Sequence, residues 1–177
     1  MSDRQADIAL QHGNYRRILF CSDFSENADF AFGFAVDAAV RNTGSTLYLL
    51  HVLPEPDAQF WKTYIYASDA DPDAKAKADI DARIARDYLP RLPPGLSFRK
   101  VFRIGKAGDE ILAFAAEEKI DLIVLGRQGR GAVRSIFFGD VAARVARNAT
   151  CPLLIVPMAF ARRPPAPPTP PETPARV

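Results

Sequence analysis

Five short apolar runs, RILFCS, TLYLLHVLP, LSFRKVFRI, DLIVLG and CPLLIVP, alternate along this chain with stretches whose apolar residues recur at helical spacing. Continuous apolar runs of this length suit strands buried on both faces, because a strand with one solvated face would alternate apolar and polar residues. Strands that alternate with amphipathic helices predict a parallel sheet covered on both sides, since parallel neighbours need a long crossover connection. The expected fold is a single doubly wound α/β domain with a five-stranded parallel sheet, its strands at 17–22, 46–54, 96–104, 121–126 and 151–157.

The intervening helices carry their own signals. Ser25 can cap a helix N-terminus and Glu26 suits its dipole, while Phe30, Phe34 and Ala38 recur every four residues until Asn42 and Gly44 stop the run. Residues 57–78 read as a loop or short helical insertion, with Phe60, Trp61, Tyr64 and Tyr66 followed by a polar stretch. Ile80, Ile84 and Tyr88 resume helical spacing before the Pro93-Pro94-Gly95 turn. Ile111, Leu112, Ala115 and Ala116 predict the buried face of a helix over 109–119, and Val141 with Val145 marks a last helix over 140–148. With 177 residues, 48% of them hydrophobic, the chain supports one core. The domain is expected over 15–158, between a flexible N-terminus (1–14) and an extended proline-rich tail (159–177) that lacks an apolar payload.

Several function classes fall away. Lys and Arg total 23 against 21 Asp and Glu, too even a balance for the dense basic face of a general nucleic-acid binder. Cys21 and Cys151, with His12 and His51 as the two histidines, assemble neither a disulfide framework nor a Cys/His zinc site. The polar N-terminus lacks a signal-peptide core, and AFGFAVDAAV is interrupted by Asp37 before it could span a bilayer. A cytoplasmic protein without membrane or nucleic-acid partners is expected. There is no GxxxxGK(S/T) phosphate loop, and Gly126-x-x-Gly129-x-Gly131 inverts the dinucleotide order GxGxxG.

In an open parallel sheet, ligands bind beyond the carboxyl ends of the strands where the winding reverses. Cys21-Ser22-Asp23-Phe24-Ser25 and Gly126-Arg127-Gln128-Gly129-Arg130-Gly131 lie at such ends, and both face one crevice if the first and fourth strands are neighbours. Gly139 then opens the last helix. Glycines admit a phosphate close to the backbone, and a helix N-terminus suits an anion. The same glycines also serve as a strand end, a turn and a helix start with no ligand, and spacing alone leaves both readings standing. Cys21 has no paired base and His51 reads as a packed histidine, so no nucleophilic triad emerges.

ILFCSDFSENA, LLHVLPEP, Gly105 ahead of Asp109-Glu110-Ile111, DLIVLGRQGRG and FFGDVAARVARNATCPLLIVP together resemble the universal stress protein family. The resemblance implies a nucleotide loop G-x2-G-x9-G-(S/T), falling on Gly126, Gly129, Gly139 and Asp140, with Arg127, Arg130 and Val141 beside it. It further implies that Asp23 and the backbone of Val52 hold the adenine and ribose, with Cys21 and Ser22 at the pocket floor. ATP, with Mg2+, is the implied ligand, and a homodimer through residues 152–156, with Pro152 and Val156 at its ends, the implied assembly. Asp140 departs from the pattern: a Ser or Thr hydroxyl donates to a phosphate oxygen, whereas an ionised Asp only accepts and repels it. Mg2+ bridging Asp140 to the phosphates would offset that repulsion. Two functions follow as alternatives, an ATP-binding regulator with a weakened phosphate site and a nucleotide-free adaptor acting through an unidentified protein partner. No residue reads as a general base, so hydrolysis is expected to be slow at most.

Overall fold

The computed structural model describes residues 13–54, 72–127 and 139–162. Strand β1 (Arg17–Cys21), helix α1 (Glu26–Arg41), β2 (Thr46–Leu53), α2 (Pro72–Asp87), β3 (Ser97–Ile104), α3 (Ala107–Glu117), β4 (Leu122–Gly126), α4 (Asp140–Asn148) and β5 (Leu153–Val156) follow in chain order, with 3-10 turns at Leu89–Arg91 and Met158–Arg162. The strands pair in parallel in the order β3-β2-β1-β4-β5. The doubly wound fold follows: the chain winds outward through β2 and β3 on one side of β1, then crosses to β4 and β5 on the other.

The pleat divides the core into two layers. Ile18, Phe20, Leu47, Leu49, Leu122 and Val124 pack against Ala28, Ala31, Phe32, Ile84 and Tyr88 of the α1 and α2 layer. Leu19, Cys21, Tyr48, Leu50, Ile123 and Leu125 pack against Ile111, Phe114, Ala142 and Val145 of the α3 and α4 layer. Each central strand is thus buried on both sides, as its continuous apolar run requires.

Particular expectations need correction. The α1 stripe is Ala28, Ala31, Phe32, Ala35 and Ala39, while Phe30 and Phe34 are only half-buried. Small side chains let the helix lie close on the sheet around Phe32, and Phe30 and Phe34 pack at the margin of that core. In α3 the core residue is Phe114 beside Ile111, and Ala116 is exposed. In α4, Ala142 and Val145 are buried whereas Val141 is exposed. Strand β3 is not apolar on both faces, with Arg99 and Lys100 exposed; it is an edge strand, where charge blocks unwanted pairing. Strand β1 ends at Cys21, one residue before the expected end, and α2 begins at Pro72, so the polar part of the expected insertion is helical from there. The cluster Phe60, Trp61, Tyr64 and Tyr66 lies outside the described residues.

The chain after β5 also differs from a tail without apolar payload. Phe160, in the Met158–Arg162 turn, lies with its ring 5.8 Å from Phe34 and 6.5 Å from Phe30, centroid to centroid. It covers the outward phenylalanines of α1. Residues 163–177 lie outside the described residues. Among the described residues no helix is long and apolar enough to cross a membrane.

Candidate functional site

β1 and β4 are hydrogen-bonded neighbours, with Cys21 in register with Leu125. The order reverses between them, so the segment leaving β1 and the segment leaving β4 emerge side by side at the carboxyl end of the sheet. This is the crevice that doubly wound sheets use for ligands.

The two walls are fixed by specific contacts. Asn27, buried in the first turn of α1, donates from Nδ2 to the carbonyl of Val156 at 2.9 Å, tying α1 to the end of β5. A Cβ on Gly126 would stand 3.0 Å from Asn27 Cγ and 3.1 Å from its backbone C and O. Glycine at 126 therefore has a packing reason that is independent of any ligand. Arg127 continues the ladder, its N–H donating to Val156 O at 2.9 Å, and its carbonyl accepts from Gly139 N–H at 3.0 Å. That bond seats the start of α4 against the end of β4.

Gly139 is the N-cap of α4, with φ −62° and ψ 154°, and has no side chain with which to cap the helix. The α4 N-terminus thus depends on other oxygens, of protein, water or ligand, for its first-turn N–H groups. Asp140 and Val141 open the helix, both exposed. Arg127 Nε is buried and has no hydrogen-bond partner among the described residues. Gly129 and Arg130 lie outside the described residues.

On the other wall, Asp23 accepts the Ser25 N–H at 3.0 Å, folding the chain into a tight turn, and Ser25 Oγ in turn accepts from Ala28 N–H as the α1 cap. Ser22 is buried, its hydroxyl accepting the Phe24 N–H at 3.0 Å and lying 2.7 Å from the Tyr88 hydroxyl. Cys21 is buried in the α3 and α4 layer, and burial pushes its thiol pKa far up, so the group is a packed thiol. His51 Nδ1 lies 2.8 Å from the carbonyl oxygen of Ser22. A carbonyl only accepts, so Nδ1 carries the proton. Val52, next along β2, is half-buried and in register with Arg103.

The described site residues from β1, β2, β4 and α4 therefore gather at one end of the sheet. Sequence reading missed the groups that hold the first wall in shape. Phe24 takes φ +58°, a left-handed conformation rare for a bulky residue; Arg83 and Tyr88 contact it, and Asp29 accepts from the Tyr88 hydroxyl. The helical spacing of Tyr88 with Ile80 and Ile84 pointed to the core, but nothing in it pointed to the partners of the hydroxyl. Among the described residues no group of three His, Cys, Asp or Glu side chains could hold a metal ion.

A five-stranded parallel sheet whose order reverses between β1 and β4 defines a small doubly wound α/β domain. Residues 14–157 match the model of the universal stress protein family, and the chain belongs to that family. Universal stress protein MJ0577 of Methanocaldococcus jannaschii is 24% identical over 156 residues, covering 80% of this chain and 94% of that protein. Universal stress protein MJ0531 of the same organism is 46% identical over 52 residues, a match confined to 29% of this chain and 31% of that protein. The structure of universal stress protein UspA from Lactobacillus plantarum superposes with a TM-score of 0.66 at 25% identity, covering 81% of this chain and 98% of that one.

Proposed function

We propose that this chain is a cytoplasmic stress-response regulator that binds an adenine nucleotide in the β1/β4 crevice, through a phosphate site that Asp140 weakens. The observation that carries this reading is the buried Nε–H of Arg127, which lacks an acceptor among the described residues, on a residue whose carbonyl is bonded to Gly139, the cap of α4. An unsatisfied buried donor costs about 1–3 kcal/mol, and a phosphate oxygen supplies the missing acceptor. The first turn of α4 adds further N–H groups and a favourable dipole.

The remaining roles follow the family resemblance. Asp23 accepts from ribose hydroxyls, the backbone of Val52 meets the adenine edge, and Gly129 and Arg130 complete the phosphate loop. Asp140 opposes the outer phosphates: a unit charge pair about 4 Å apart repels by roughly 1 kcal/mol in water and about 4 at intermediate dielectric. Mg2+ held between Asp140 and the phosphates would turn this carboxylate into a ligand. Universal stress proteins of the same fold, at 23% and 22% identity, were solved in complex with cAMP and with dAMP, which supports a nucleotide as the ligand class. Neither Cys21 nor His51 is arranged as a base for water, so hydrolysis is slow at most. A homodimer through the edge of β5 fits the half-exposed Leu153, Leu154 and Ile155.

Asp140 also favours a second reading, a nucleotide-free adaptor that acts through protein contacts. Chromatography of small molecules released from purified, heat-denatured protein separates the two. An adenine nucleotide in the released fraction is expected. Its absence, together with no heat on ATP titration, would support the adaptor.

A further inference from the structure

We propose that Tyr88 is a positioning residue for the nucleotide site, holding the Asp23 turn in shape from just beyond the end of α2. The proposal rests on the nucleotide reading for its ligand, but its geometry stands without one.

Tyr88 is fully buried one residue beyond α2, its N–H still bonded to Ile84 O at 3.0 Å. Its hydroxyl oxygen lies 2.6 Å from Asp29 Oδ1 and 2.7 Å from Ser22 Oγ. An ionised carboxylate only accepts and tyrosine has one proton, so Tyr88 donates to Asp29 and Ser22 must donate to Tyr88. The Ser22 oxygen meanwhile accepts the Phe24 N–H. The bonds therefore run in one direction, from Phe24 N–H to Ser22 to Tyr88 to the Asp29 carboxylate, and each polarises the next toward the anion.

Phe24 is the residue this chain restrains. Its left-handed φ of +58° needs outside support, and both polar groups of its backbone are held by α2 or through it. The N–H is bound through Ser22 to Tyr88, and the carbonyl accepts from Arg83 Nη2 at 3.0 Å. Its ring stacks 5.9 Å from Tyr88 and lies tilted 4.6 Å from His51, with the Arg83 guanidinium 4.6 Å from its centroid. Asp23 directly precedes Phe24, and its carboxylate binds the N–H of Ser25, which directly follows. The backbone at Phe24 thus sets where the Asp23 carboxylate lies, and Tyr88 sets the backbone at Phe24.

Tyr88→Phe in the full chain removes the hydroxyl and keeps the ring; Ser22→Ala cuts the same chain one bond earlier and serves if the first variant does not fold. Two readouts apply. In the ligand-free protein, amide exchange at Phe24 and Ser25 should accelerate about tenfold while the central strands keep their protection. In an ATP titration, the variant should bind about five- to tenfold more weakly than wild type, and the effect should shrink below about twofold in an Asp23→Ala background. An equal loss in both backgrounds, or unchanged exchange at Phe24 and Ser25, overturns the proposal. If wild type gives no ATP heat, the nucleotide reading fails on its own, and the exchange result decides whether Tyr88 holds the turn.

Discussion

The backbone N–H of Gly139 donates to the carbonyl of Arg127 at 3.0 Å, so two residues twelve apart in sequence, one leaving β4 and one opening α4, are locked together. This bond holds the backbone at Arg127, whose Nε–H is buried without an acceptor among the described residues, against the residue that caps α4.

The demand at Arg127 gives a prediction in which stability and binding move oppositely. Arg127→Met removes a buried unsatisfied donor while retaining an apolar stem. The ligand-free variant should match wild type or gain about 1 kcal/mol in urea denaturation, yet bind ATP about tenfold more weakly. A variant that loses stability and leaves affinity unchanged would mean that Arg127 is a structural residue only.

Gly126 should respond in the contrary sense. Its substitution by alanine forces a methyl to 3.1 Å from the α1 backbone at Asn27, which has little room to yield. Overpacking of this kind costs about 1–3 kcal/mol. Chemical denaturation of Gly126→Ala reporting wild-type stability would show that α1 does not lie as close to β4 as the geometry requires.

The elements of the fold differ in how openly their sequences declare them. The central strands were legible because a run such as ILFC or LIVL, buried on both sides, leaves no polar face to misread. Helix faces were less so: in α1 the large, regularly spaced Phe30 and Phe34 dominate the pattern, but close packing selected Ala28, Ala31, Ala35 and Ala39 instead. Phe160 was hidden by the prolines that follow it, although its ring meets Phe34. At the site, the segments 21–25 and 126–131 could be placed from loops at strand ends, whereas Asp140 stands out only against the family pattern. The Ser22–Tyr88 bond joins residues 66 apart, and no local pattern encodes such a pair.

The Phe160 contact moves the point at which truncation becomes harmless. Ending the chain at Pro157 removes this ring and uncovers Phe30 and Phe34, with an expected loss of about 1–2 kcal/mol from apolar burial. Ending it after Arg162 should leave the thermal midpoint unchanged. Equal midpoints for the two truncations would contradict a docked Phe160.

Tyr88 also predicts an alkaline effect. Burial, reinforced by the hydrogen bond to Asp29, pushes its phenol pKa above the ordinary 10.0. Above that pH the unfolded chain has released the proton and the folded chain has kept it, so stability is complete below about 10 and declines as pH rises further, by up to ~1.4 kcal/mol per pH unit. Denaturation of wild type and Tyr88→Phe between about pH 9 and 11 should give curves that converge with rising pH. Parallel curves would mean that Tyr88 ionises as freely folded as unfolded.

Calorimetric titration of ATP into wild type and Asp140→Ser decides whether the β1/β4 crevice binds an adenine nucleotide against the resistance of Asp140. Serine keeps a helix-compatible residue, removes a like charge and restores a donor, worth about 1–2 kcal/mol together, so the variant should bind roughly five- to thirtyfold more tightly than a measurable wild type. AMP, without the outer phosphates, should gain less from the same change. Absence of binding by both proteins, with and without Mg2+, would rule out a nucleotide site in this crevice.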